Sequence, residues 1–314
     1  MSEHTLSTET EHTGTASPQL ASPVRRIVSD SVPPQSRSVP ATLCTVAAEI
    51  AAGSTADSSD PSAEIVDPVV SAVTSLEGYV RIRHDLVATN RYAAETDERD
   101  AALLASDYLH AAAYAAVDDA PISDRRSIEL YRILTGGSTA LSRGFLEWGD
   151  TGTDADTDDD HQRSRPTAIL AGVAAELGAT ALGATNETRS ATKNYGRSLG
   201  SALAIRSSSS DPIDDVHGLT ARILSGHTSS SETDGRSVHQ DGIESRSSSS
   251  AIVPAPVERH LEQARETLER LEAAADVGLE RSDGDETGLT AGRSPSPLDR
   301  LERATRVPFQ TIEL

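Results

Sequence analysis

The stretch AALLASDYLHAAAYAA, residues 101–116, constrains the fold of this chain more than any other segment. It is built mainly from alanine and leucine, which enter a helix at the lowest conformational cost. It has none of the period-two alternation of a half-buried strand. Its side chains are small, so a helix made from it can approach its neighbours closely. A second such stretch, PTAILAGVAAELGA (166–179), repeats the pattern. Apolar spacings of three and four predict helices at 40–53, 64–90, 98–117, 123–149, 165–185, 187–208, 212–226, 256–277 and 297–307. Ser123-Asp124, Asn186-Glu187, and Pro254 with Pro256 supply start signals for three of them. No segment alternates as a strand does, and the fold class is all-α.

Residues 1–22 are mostly Ser, Thr, Glu and His and predict a disordered acidic tail. Residues 23–314 read as one helical domain carrying three flexible insertions, at 150–163, 227–253 and 280–296. Insertions between helices cost little, because loop-closure entropy grows slowly with length. Helix 256–277 places Leu261, Ala264, Leu268, Leu271 and Ala275 on one stripe, with Arg265–Glu269 and Glu266–Arg270 pairs outside it. That is a helix docked on the bundle; a coiled coil would need more heptads.

With 28 basic and 49 acidic residues the formal charge is −21, which argues against nucleic acid or an anionic membrane as partner. Lys193 is the only lysine. Cys44 stands alone, so no disulfide forms within the chain and a reducing cytosol is expected, with the thiol serving packing. No apolar run is long enough to span a membrane, and MSEHTLSTETEHTG lacks the apolar core of a signal peptide, so the expected location is cytoplasmic. The acidic run from Asp154 has Asp159 where a calcium loop needs glycine and Arg165 where it needs glutamate. His84, His110 and His161 share no zinc-ligand spacing.

His84-Asp85, followed by Leu104-Ala105-Ser106-Asp107-Tyr108-Leu109, resembles the trans-polyprenyl diphosphate synthase family. Two later stretches resemble it in the same order. Pro166-Thr167-Ala168 stands where that family carries Lys-Thr-Ala, and Tyr195-Gly196-Arg197-Ser198-Leu199-Gly200 matches its Tyr-Gly-x-x-Leu-Gly helix. The resemblance spans about residues 30–307 and implies an isoprenoid-synthase-like helical bundle around a central cavity. Together with the acid-rich, lysine-poor composition, it describes a degenerate, haloarchaeal-type member adapted to salt.

In the family, two Asp-Asp-x-x-Asp clusters hold Mg²⁺ ions that neutralise a departing diphosphate, while lysines and arginines clamp the substrates. Carried over, the first cluster falls on Asp85, Leu86, Val87, Ala88 and Thr89, with Arg91 as the nearby cation. The second falls on Ser207, Ser208, Ser209, Ser210 and Asp211. One aspartate survives in each. The family's Gly-Gly-Lys-Arg-x-Arg-Pro entry retains only Arg37, and its Lys-Thr-Ala lysine is Pro166, ahead of Thr167. Asp211, Asp214 and Asp215 could recruit a metal elsewhere, but they also suit the capped, acidic first turn of a helix, which is the favoured reading. Asp107 and Tyr108 are expected to hydrogen-bond inside the bundle.

The resemblance, with its missing groups, implies a non-catalytic homologue needing no cofactor. It would act as subunit or regulator of a prenyl diphosphate synthase, in a homo- or heterodimer with a catalytic copy, or bind a prenyl diphosphate. The alternatives are a weak Mg²⁺-dependent prenyltransferase using Asp85, Asp211 and Asp215, and an unrelated helical scaffold.

Overall fold

A computed structural model describes residues 20–53, 62–89, 91–92, 96–149, 165–209, 216–227, 253–279 and 295–309. Ten α-helices lie among them: α1 Ser22–Ser31, α2 Val39–Ala52, α3 Ser62–Ala88, α4 Asp97–Asp118, α5 Asp124–Gly149, α6 Arg165–Ala181, α7 Asn186–Ser209, α8 Val216–Leu224, α9 Ala255–Leu279 and α10 Pro297–Ala304. No strand occurs among the described residues.

Local chemistry sets many of the helix ends. The Ser38 hydroxyl accepts from Ala41 N at 3.0 Å and caps α2, while Thr96 caps α4 ahead of Asp97, Glu98 and Asp100. Ser296 and Asp299 form a reciprocal capping box on α10, with Pro297 at its first position. Helix α6 stops at Ala181, short of the predicted 185, because Gly183 takes a left-handed φ of 78°. Its N–H and that of Ala184 then turn back onto the carbonyls of Thr180 and Ala179. The start signal of α7 is Thr185, whose hydroxyl accepts from Thr188 N at 3.2 Å; Asn186 already lies inside the helix.

Two corrections concern the ends of the chain. Helix α1 occupies a stretch that the sequence reading left unassigned, and it begins at Ser22, inside the predicted tail. Val24, Ile27 and Ser31 form its buried stripe. The predicted helix 297–307 ends at Ala304, and a 3₁₀ turn follows at Val307–Phe309. Most of the predicted tail and of the three insertions lies outside the described residues.

Helix α6 sits at the centre, packed on α2, α3, α5 and α7. From Ala168 to Ala181 every side chain but that of Glu176 is buried. One apolar core joins α1, α3, α4, α5 and the Ala41, Cys44 and Ala48 side of α2 to α6; the other joins the Val39, Leu43 and Val46 side of α2 and Ala171 of α6 to α7, α8, α9 and α10. Small residues let the backbones meet. A Cβ at Gly178 would collide with the Cys44 carbonyl of α2, and one at Gly196 would lie 2.6 Å from the Ala171 carbonyl of α6. Cys44 is fully buried, and burial pushes its thiol up to about 12.

Of the stripe predicted on α9, Leu261, Ala264, Leu268 and Leu271 are buried, the helix packing on α7, and Ala275 lies outside the residues whose side chains are described. Arg265 does not pair forward with Glu269. It reaches back to Glu258 at 2.9 Å and to the Thr305 carbonyl at 3.5 Å, which draws it toward the end of α10.

Candidate functional site

Asp85 lies one turn before the end of α3, where its carboxylate is only 20% exposed. Arg91, in the segment after the helix, donates from Nη1 to Asp85 Oδ2 at 2.8 Å, and His84 Nδ1 stands 3.5 Å from Oδ1. The Asp85 carboxylate raises the Arg91 pKa further, holding that guanidinium charged. The next two positions of the inferred cluster point away from any ion. Leu86 is buried in the core, and Thr89 spends its hydroxyl on the Asp85 carbonyl at 2.9 Å. Of this cluster, then, a single carboxylate is present, and it is committed to an arginine.

Helix α7, on which the second cluster begins by the sequence resemblance, offers no more among its described residues. Ser207, at the first position of the second cluster, donates to the Leu203 carbonyl at 2.8 Å and meets His217 Nε2 at 2.8 Å. Asp211, Asp214 and Asp215 lie outside the described residues. The residues present at the first cluster do not fit Mg²⁺, which needs several oxygens and balancing charge. Among the described residues no three His, Cys, Asp or Glu side chains are placed to hold a metal ion.

The remaining predicted residues scatter. Arg37 is exposed in a 3₁₀ turn, Gln35–Arg37, ahead of α2. Thr167 is half-buried in the first turn of α6, its carbonyl close beneath Gly200 of the signature helix α7. Tyr195 of that helix donates to the Leu301 carbonyl at 2.7 Å and ties α7 to α10; burial raises its pKa. Asp107 is not inside the bundle. Its side chain is 67% exposed and pairs with Arg83 at 2.8 Å, because it lies off the buried stripe of Ala102, Ala105, Leu109 and Ala113.

Sequence reasoning missed a buried polar cluster two turns before Asp85. Ser38 donates its hydroxyl to Glu77 Oε2 in a short contact, and Arg81 holds Glu77 Oε1 at 2.9 Å. Burial raises the Glu77 pKa, while both partners oppose that shift. The i, i+4 spacing of Glu77 and Arg81 was the available signal.

Comparison of the structure with solved ones finds a shared overall architecture. The small subunit of geranyl diphosphate synthase from Antirrhinum majus superposes with a TM-score of 0.53 at 14% identity, covering 81% of this chain and 86% of that one. A geranylgeranyl pyrophosphate synthetase from the archaeon Geoglobus acetivorans gives 0.54 at 14% identity, over 92% and 90% of the two chains. A heterotetrameric geranyl pyrophosphate synthase from mint gives 0.52 at 12%, over 81% and 87%. The fold is that of the trans-prenyl diphosphate synthases. No protein-family model matches the chain. No curated protein matches it either. Within that fold, α3 carries Asp85 and α7 carries Tyr195 and Arg206. No helix of the described residues is long and apolar enough to cross a membrane.

Proposed function

We propose that this chain is a non-catalytic homologue that serves as partner subunit to a catalytic trans-prenyl diphosphate synthase, with a prenyl diphosphate as its ligand. One observation carries the reading: the surviving aspartate of the first metal cluster is held by Arg91 at 2.8 Å, while the adjacent position is the buried Leu86. Ionising an allylic diphosphate develops charge that preorganised metal ions and cations must meet. With one carboxylate already neutralised and Pro166 in place of the clamping lysine, that stabilisation is missing.

One further observation supports a subunit role: the similar structures include a small subunit and a heterotetrameric synthase.

The test is to mix the purified chain with a catalytic trans-prenyl synthase from the same cells, in molar KCl with Mg²⁺. Light scattering should find a hetero-oligomer, and the mixture should differ from the catalytic protein alone in rate or product length. Two species that elute separately and leave rate and products unchanged would refute the subunit role.

A further inference from the structure

A cleft of about 540 Å³ opens between α5, α6 and α7, and its charge runs against that of the whole chain. Arg132 and Arg143 of α5, Arg165 of α6, and Lys193 and Arg197 of α7 line it, with Glu176 as the only carboxylate among its lining residues. A molecule of net charge −21 thus gathers five cations, its single lysine included, around one concavity. The floor is apolar, formed by Ile133, Ala140, Ile169 and Val173. A volume of this size falls within the range of small-ligand sites, which is about 300–1,000 Å³.

Two of these cations are held in place by their neighbours, and three form no ion pair with a carboxylate of the described residues. Glu176 fixes Lys193 at 2.8 Å. Arg197 lays its methylenes over Gly172 of α6, where a Cβ would collide with its Cγ. Arg132, Arg143 and Arg197 pair with no carboxylate of the described residues. Elsewhere in the fold Arg81, Arg83, Arg91, Arg189 and Arg300 each hold one.

We propose that this cleft is a binding site for a small phosphorylated compound, its phosphate or diphosphate group taken by Arg132, Arg143, Arg165, Lys193 and Arg197 and its apolar part lying on Ile133, Ile169 and Val173. Guanidinium forks match phosphate oxygens two at a time, so a group with several oxygens can engage several arginines together. The surrounding negative field disfavours an extended polyanion such as a nucleic acid, so the ligand is small and multiply charged at one end. The site is built from α5, the body of α6 and the first half of α7, and includes none of the residues around Asp85. It does not depend on the subunit reading.

The probe is inorganic diphosphate, titrated calorimetrically into the full chain without divalent metal at fixed ionic strength. Saturable binding is expected, weakened about tenfold by Arg143→Gln and again by Arg197→Gln, since each removes a charge-assisted contact. Asp85→Asn and Arg259→Gln, the latter on the exposed face of α9, should leave it unchanged. A prenyl monophosphate should bind more tightly than inorganic phosphate because its chain lies on the apolar floor, and equal affinity would overturn that placement. No saturable binding of diphosphate, or equal loss on Arg259→Gln, would overturn the proposal. Loss of the hetero-oligomer above would not touch it.

Discussion

Asp85 and Arg91 form an ion pair across the end of α3, at 2.8 Å, at the position that the sequence resemblance assigns to the first metal cluster. The carboxylate is mostly covered, and Leu86 beside it points into the core, 8% exposed. Two consequences can be measured. Millimolar Mg²⁺ should leave the melting temperature of the metal-stripped chain unchanged. Leu86→Asp, which restores one motif residue, should destabilise by about 3 kcal/mol, because it buries a charge without a partner. A gain of Mg²⁺-dependent stability in that variant would show that the position can still recruit the ion and would contradict the reading that Arg91 commits Asp85.

Ser38 and Glu77 join the start of α2 to the middle of α3. The hydroxyl serves twice, accepting from Ala41 N as a cap and donating to the Glu77 carboxylate. Ser38→Ala should therefore cost about 1–3 kcal/mol by chemical denaturation, from the lost cap and the orphaned buried oxygen together. A loss below half a kilocalorie, roughly the floor for a cap, would mean that the contact is not made in solution.

Glu77 also predicts a pH dependence. Its folded pKa is raised, chiefly by burial, so the folded chain holds this proton to higher pH than the unfolded chain does. The stability it contributes is complete below the ordinary glutamate range and is lost as pH rises through the raised value. Glu77→Gln removes that titration, so its stability relative to the parent should improve as pH rises through that window. A difference flat with pH across it would contradict the assignment.

Glycines distinguish close approach from open surface. Gly178→Ala should destabilise by at least about 2 kcal/mol, since its Cβ would meet the Cys44 carbonyl and α2 and α6 would have to part. Gly136→Ala has nothing within 4 Å and lies inside α5, so it should stabilise by about 0.5–1 kcal/mol through helix propensity alone. Thermal melts of the two variants settle both signs.

The helix order was legible because small and apolar residues recur at helical spacing across long segments. Helix α1 was not, although Val24, Ile27, Val28 and Ser31 keep the spacing, because ten residues with two arginines and three serines carry a weak periodic signal. The expectation that the metal clusters are missing rests on Leu86, Thr89, Ser207 and Ser208, which replace motif aspartates in the resemblance. What Asp85 does instead could not, since Arg91 reaches it only through the turn that follows α3. Arg265 shows the same limit: helical spacing allowed partners on either side, and proximity to Thr305 chose Glu258. The cationic cleft was invisible in sequence because its five cations come from three helices that only the fold brings together.

The central claim is that the chain does not carry out prenyl transfer by itself. Its most direct test is chain elongation by the purified protein, given isopentenyl and allylic diphosphates with Mg²⁺ in molar KCl. The account predicts no elongated product above the level without protein, because groups that act as one unit in ionisation fail together when most are missing. Robust Mg²⁺-dependent elongation that Asp85→Ala abolishes would contradict it and make the chain an enzyme.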